Sequence, residues 1–278
     1  MVTKVSSLAF NGIDIVDVDV QVQIQPGIPK FIIVGLADKT IAESKERVRA
    51  ALSSIALCLP AKNILINLAP ANLLKEGSHF DLAISAGILA SMGALPADEI
   101  NNYLILGELS LDGSILPVNG VLPAAMGATA RGKGVICAKQ NGPEAAWSGN
   151  DNILAPSNLI ELVNHFKGAQ ILTQPKPGVS GSSIKYPDLK DIKGQKIAKR
   201  ALEIAAAGGH NLLMFGPPGS GKSMLAQRLP GIMPELDPSE ILECSTIASV
   251  AGYIENGCLT RARPFRTPQA LLHGVSKS

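Results

Sequence analysis

Aromatic residues are scarce in this chain of 278 residues: Phe, Trp and Tyr together make up 4%, and there is one tryptophan. A core must therefore be built from aliphatic side chains, and at 46% hydrophobic residues the chain has enough of them for a folded protein. Charge is also sparse. Lys, Arg, Asp and Glu make up 17% and leave a net charge of +2, which gives no global argument for nucleic-acid or membrane binding. The four cysteines, Cys58, Cys137, Cys244 and Cys258, are far apart, form no C-x-x-C pair and have no histidine at metal-ligand spacing. That excludes a disulfide scaffold and a zinc site and leaves reduced, structural thiols. No apolar run is long enough to span a bilayer; the longest, Leu82 to Leu95, follows directly on Asp81. The opening MVTKVSSLAF lacks the apolar core and the small-residue cleavage site of a secretory signal. The expectation is a cytoplasmic protein with no membrane partner.

What is present begins with an alternation. Val16, Val18, Val20, Val22 and Ile24 interleave with Asp17, Asp19, Gln21 and Gln23, the period-2 pattern of a strand with one buried and one solvated face. After Pro26-Gly27 the run FIIVG predicts a second strand. From Asp38 to Leu57, apolar Ile41, Val48, Leu52 and Ile55 with charges between them predict an amphipathic helix closed by Pro60. The theme repeats: strand Ile64–Leu68, a helix near Phe80–Gly93, strand Tyr103–Leu106, and "LSLDGSIL", where Asp112-Gly113 signals a hairpin turn. Helix Val121–Arg131, strand Gly134–Ala138, a short strand Asn152–Leu154 and helix Ser157–Phe166 follow. Alternating strands and helices give an α/β class, and the length suggests two units.

Thr173 to Pro187, "TQPKPGVSGSSIKYP", has proline, glycine and serine without periodicity and reads as a linker between a first unit, 1–172, and a second, 188–278. The second unit predicts helix Gln195–Ala207, strand Asn211–Phe215, helix Lys222–Leu229 and a helix from about Pro238 to Val250.

Between the predicted strand and helix stands "GPPGSGKS": Gly216, Pro217, Pro218, Gly219, Ser220, Gly221, Lys222 and Ser223. It satisfies G-x-x-x-x-G-K-[ST] in strand–loop–helix context. Glycines let backbone N–H groups turn inward around phosphates, Lys222 sets a point charge against the β- and γ-phosphates, and the Ser223 hydroxyl suits Mg²⁺. ATP and Mg²⁺ are the cofactors this pattern calls for. Hydrolysis needs more, an apolar strand ending in carboxylates that holds Mg²⁺ and orients water. None follows Ser223: Glu240 and Glu243 fall on a predicted helix and Glu255 sits beside a glycine turn. ATP binding with weak or absent hydrolysis is the expectation for this chain.

These residues carry a resemblance. "DLKDIKGQKIAKRALEIAAAGGHNLLMFGPPGSGKSMLAQRLPGIMPEL" resembles the start of the AAA+ module of magnesium-chelatase-like proteins. "IVGLADKTIAESKERVRAAL", "ILINLAPANLLKEGSHFDLAISAGILA" and "GELSLDGSILPVNGVLPAA" resemble its ComM/YifB competence branch. The resemblance implies a ribosomal-S5-like, Lon-protease-like N-terminal domain followed by a partial P-loop AAA+ domain. It also implies that Ile192, Gly194 and Gln195, in a D-I-x-G-Q box, contact the base. For the intact family member it implies a homo-hexameric ring, a DNA partner and ATP-driven branch migration in transformation and recombination. Two other readings are a magnesium-chelatase-type ATPase subunit for metal insertion and a non-hydrolysing, nucleotide-responsive binding module. The family's pattern continues past "RPFR-[ST]-P", whereas Gln269 to Ser278 match nothing in it. The expectation is a chain lacking Walker B, sensors and arginine finger, as from a truncation or a shifted frame. Helices stripped of their sheet would then leave Ile232, Leu236, Ile241 and Ile247 partly exposed.

A Lon-like domain raises proteolysis, which needs a serine activated by a lysine. In "KEGSHFDLAISAG" His79 stands where the serine belongs, and Leu122 and Ala124 occupy the places expected of the lysine; Ser78 is adjacent but has no evident base. A lone histidine there is expected to cap or pack. Lys193, Lys196, Lys199 and Arg200 lie at helical spacing and read as a solvated face, with DNA phosphates the alternative. Arg261, Arg263 and Arg266 form a second basic cluster.

Overall fold

A computed structural model describes residues 2–36, 38–178 and 186–266. Part of the expected linker Thr173–Pro187 and all of Gln269–Ser278 lie outside the described residues. Packing divides the chain into two units, Met1–Val179 with Ser245–Cys258, and Ser180–Cys244 with Leu259–Ser278.

The first unit is built on strands β1 (Val2–Asn11), β2 (Asp14–Gln25), β3 (Lys30–Val34), β4 (Asn63–Ala69) and β5 (Tyr103–Ile105). The short pair β6 (Glu108–Leu109) and β7 (Ile115–Leu116) comes next, followed by β8 (Gly134–Ile136) and β9 (Ile153–Leu154). Seven of them form one sheet in the order β3-β4-β2-β1-β5-β8-β9. β1 and β2 pair antiparallel, as do β2 and β4, while the remaining neighbours run parallel. The helices are α1 (Lys39–Ser54), α2 (Asp81–Ser91), α3 (Ala97–Ile100), α4 (Val121–Ala130), α5 (Gly142–Ala145) and α6 (Leu159–Phe166). This is the α/β class read from the alternation.

Two apolar layers flank the sheet. On one face Val18, Val20 and Val22 of β2 and Ile64, Ile66 and Leu68 of β4 join residues of α1 and α2. On the other, Leu8, Leu104, Val135 and Ile153 meet Val121, Ala124, Ala125 and Ala128 of α4. The parallel strands β5, β8 and β9 give one residue to each layer, Leu104 and Ile105, Val135 and Ile136, Ile153 and Leu154. Burial on both sides is why they read as short apolar runs and β2 as an alternation. The same cause hid β1, to which the sequence pattern assigned no element. Its Val5 faces one layer, its Leu8 the other, and Ser7, buried between them, donates to the Ile105 carbonyl at 2.9 Å.

Helix α2 is the centre of this unit, with every residue from Asp81 to Ala90 buried. A Cβ at Gly87 would meet Val22 Cγ2 at 2.6 Å, so only glycine lets the helix lie this close to β2. Asp81 at its first position is fully buried and is held bidentately by Arg47 of α1, at 2.6 and 3.1 Å. Ser110 to Ser114 form the expected turn between β6 and β7, with Ser110 N–H donating to the Ser114 carbonyl at 2.9 Å.

The second unit contains α7 (Lys196–Gly208), α8 (Lys222–Ala226) and the start of α9 (Pro238–Val250), around a small cluster of Leu189, Ile192, Leu202 and Leu225. The expected strand Asn211–Phe215 is not formed: its residues have no sheet pairing, and Leu213 and Phe215 are 85% and 92% exposed. A strand exists through its neighbours, and among the described residues this unit supplies none. The expected exposure pattern is corrected as well. Leu236 is buried, because the Leu259–Arg263 segment returns over it: Leu236 N–H donates to the Arg261 carbonyl, and Arg263 reaches the Pro234 carbonyl at 2.6 Å. Ile232 packs on the apolar cluster, and Ile247 is exposed as expected.

Candidate functional site

The G-x-x-x-x-G-K-S segment runs from Gly216 to Ser223, ahead of and into α8. Gly216, Gly219 and Gly221 all take positive φ, at 154°, 79° and 85°. A Cβ on Gly219 or Gly221 would meet nothing within 4 Å, so these glycines serve the backbone and leave open space above it. Lys222 folds across the loop: its ammonium donates to the carbonyls of Gly216 and Pro217 at 2.8 and 2.9 Å and lies 3.2 Å from Ser220 Oγ. Its charge is thereby held over the turn made by Pro217, Pro218 and Gly219. The Ser223 hydroxyl is exposed and makes no hydrogen bond among the described residues.

The D-I-x-G-Q box is brought to this loop. Ile192 is buried in the apolar cluster beneath it, Gly194 and Gln195 turn the chain at φ 69° and 51°, and Gln195 Nε2 donates to the Ser220 carbonyl at 3.3 Å. Gln195, Ala198, Met214, Phe215 and Lys222 line a single cavity of about 340 Å³, within the range of small-molecule sites. The donor set suits a polyphosphate: a cation held over a turn of exposed backbone, beside a half-apolar wall.

Glu240, the first glutamate of α9, is otherwise engaged. Both oxygens of Glu240 on α9 are taken by Arg263, at 2.9 and 3.2 Å. Among the described residues, no group of three or more His, Cys, Asp or Glu side chains is placed to hold a metal ion. The basic positions divide. Arg200 pairs with Glu203 at 3.0 Å and the Lys199 ammonium turns back to the Ile192 carbonyl, whereas Lys193 and Lys196 remain exposed.

In the first unit Leu122 and Ala124 of α4 are fully buried, Ala124 in the second apolar layer, so neither position offers a lysine to Ser78. His79 packs as expected: its Nε2 donates to the Leu8 carbonyl at 2.9 Å and its ring lies against Phe10 and Phe80. Sequence reasoning missed the partner of Ser78, whose hydroxyl donates to the carboxylate of Glu108. Thirty residues separate the two, and only the return of β6 beside the segment before α2 joins them; no local pattern signals it.

Comparison with known proteins follows the two units. A family model described as subunit ChlI of Mg-chelatase matches residues 20–141, and one described as magnesium chelatase, subunit ChlI, matches residues 188–277. The competence protein ComM of Haemophilus influenzae is 41% identical over 269 residues, covering 95% of this chain and 53% of that protein. The uncharacterized protein YifB of Escherichia coli is 39% identical over 264 residues, 95% of this chain and 52% of its own length. An uncharacterized protein of Mycobacterium tuberculosis is 39% identical over 259 residues, 93% and 52% respectively. The chain spans about half the length of these curated relatives.

Proposed function

The chain belongs to the magnesium-chelatase-like family of ComM and YifB, and on that premise we propose that its second unit binds ATP with Mg²⁺. The observation that carries this reading is the single cavity in which Gln195, the loop from Gly216 and Lys222 meet. Lys222 moves its ammonium from loop carbonyls to phosphate oxygens, a trade of neutral acceptors for charged ones that strengthens each bond. The turned backbone at Gly219 and Gly221 cradles the phosphates, and Ile192, Gly194 and Gln195 bound the side toward the base. The Ser223 hydroxyl would hold Mg²⁺, which would supply charge neutralisation to the phosphates. Turnover by this chain alone is expected to stay at the background rate, because among the described residues no strand ending in carboxylates follows Ser223 and Glu240 is held by Arg263.

For the full-length protein we propose ATP-driven DNA processing by a homo-hexameric ring in the cytoplasm, supported by the likeness to a competence protein over nearly all of this chain. The names of both family models favour a second reading, a magnesium-chelatase-type subunit that drives metal insertion. Stimulation of the full-length protein's ATP turnover by DNA supports the first; stimulation by a porphyrin and not by DNA supports the second.

Titration with a fluorescent ATP analogue in the presence of Mg²⁺ tests the binding step. Lys222→Ala removes charge-assisted bonds worth about 1.5–3 kcal/mol, so affinity should fall roughly 10- to 150-fold. Unchanged affinity in a folded variant would sink the assignment.

A further inference from the structure

A cavity of about 890 Å³ opens in the first unit, walled by the end of β1, the segment leading into α2, β6 and the turn before α4. It lies outside the phosphate-binding unit. Its ionisable side chains are two carboxylates and an imidazole, beside the carboxamides of Asn11 and Asn119 and the Ser78 hydroxyl. Glu76 is exposed at its rim and makes no ion pair among the described residues, and Glu108 presents a carboxylate that takes only the Ser78 hydroxyl. Among the described residues no lysine or arginine lines it. The nearest cations are committed elsewhere: Lys75 is buried with its ammonium on the Pro70 carbonyl, and Arg47 is bound bidentately to Asp81.

His79 supplies an independent pointer to a ligand. Its residue is 8% exposed and its ring lines the cavity. The Leu8 carbonyl can only accept, so Nε2 carries the proton. Burial lowers the imidazole's pKa, which keeps the ring neutral and leaves Nδ1 with a bare lone pair. That atom has no partner among the described residues and sits over Gly77, where an added Cβ would approach it to 3.2 Å. Nδ1 is not one of the buried, unpartnered atoms of the described residues, so it is reached from the cavity and can accept from a donor there.

We propose that this cleft binds the guanidinium group of an arginine presented by a peptide segment of a protein partner. Two carboxylates and a neutral imidazole acceptor around one cavity suit a cation with several N–H donors, and guanidinium carries five where an ammonium carries three. Phe10 gives an aromatic face for the planar cation. Leu73, Leu74 and Val250 give apolar wall for the flanking chain, and the volume fits a ligand larger than one side chain. A bare metal ion fits less well, since among the described residues no three metal-ligating side chains converge.

Calorimetric titration of the whole chain tests this with acetyl-Gly-Arg-Gly-amide against the same peptide carrying citrulline, which keeps the shape and removes the charge. The arginine peptide should bind saturably, the citrulline peptide at least about tenfold more weakly, and Glu76→Gln and Glu108→Gln should each weaken binding several-fold. Free L-arginine separates the sources: weaker binding than the capped peptide assigns the site to a protein segment, equal or tighter binding to the amino acid. The unfolding midpoint read at Trp147 verifies that each variant is folded. No saturable binding up to about 10 mM, equal affinity for citrulline, or full binding by both folded glutamine variants overturns the proposal.

Discussion

Replacing Arg47 by methionine should be the most damaging single change in the first unit that removes no part of either candidate site. Asp81 has no solvent exposure, and its carboxylate is held by Arg47 Nε and Nη2, with Leu109 N–H a weaker third donor at 3.3 Å. Arg47 Nη2 also reaches Ser44 Oγ and the Thr40 carbonyl, so one guanidinium ties the start of α1 to the start of α2. Removing one partner of a buried pair strands the other charge, at about 3–5 kcal/mol, against a total stability of about 5–15 kcal/mol. Urea unfolding followed by Trp147, the one tryptophan and a residue of the first unit, reports this loss directly. With a slope of about 2 kcal/mol per molar, a loss of about 4 kcal/mol lowers the midpoint by roughly 2 M. The sign of the pH dependence follows from Asp81. Desolvation raises its pKa and Arg47 opposes the rise, so without Arg47 the folded-state pKa climbs further above the unfolded value. A raised carboxyl adds stability at low pH and loses it as pH rises through the folded pKa, so the variant's deficit should shrink on acidification. The double variant Arg47→Met/Asp81→Leu, with neither charge, should recover most of the loss. An Arg47→Met midpoint within about 0.3 M of the parent at neutral pH would refute the reasoning, because it would mean that the pair contributes almost nothing.

Ser249→Ala should show a related signature. Its hydroxyl donates to buried Glu144, whose pKa desolvation raises; losing that donor should cost about 1.5–3 kcal/mol at neutral pH and less as the pH falls and Glu144 protonates, read by the same urea titration. Thiol alkylation should follow burial: exposed Cys58 reacts in the native state, whereas Cys137, fully buried and with its thiol pKa pushed up by desolvation, stays unmodified until the first unit unfolds, as peptide mapping would record. Modification of Cys137 in native protein at the rate of Cys58 would contradict the burial.

Legibility in the sequence tracked how each element is buried. β2 was readable because Asp17, Asp19, Gln21 and Gln23 mark its solvated face, and α1 because Asp38 caps it, accepting the Ile41 N–H at 2.8 Å, and its apolar residues keep a helical period. α9 was readable to its ends, Pro238 and Val250. β1 was not, since packing on both faces erases any period. The turn from Gly216 to Ser223 was legible because its backbone geometry is local: the positive φ of Gly216, Gly219 and Gly221 and the reach of Lys222 to the Gly216 and Pro217 carbonyls lie within one short stretch of chain. Glu108, His79 Nδ1 and Ser78 meet only through the tertiary path of β6 and α2, and contacts of that kind leave no spacing to read.

The one predicted element that failed, Asn211–Phe215, separates two properties that a phosphate loop usually combines. Its backbone geometry is encoded locally: positive φ at Gly219 and Gly221 and the reach of Lys222 to the Gly216 and Pro217 carbonyls need no sheet. Its rigidity is not local, because a strand before the loop is fixed by hydrogen bonds to neighbours, and the described residues give Leu212 to Phe215 none. The ordering of these residues is then left to be met on binding, and each residue fixed costs about 1–2 kcal/mol of conformational entropy. Affinity for a nucleotide therefore reports on the loop and its anchoring together, whereas the fractional loss on Lys222→Ala reports on the loop chemistry alone. That is why the ratio of affinities, and not the absolute value for this chain, is the quantity that bears on the assignment.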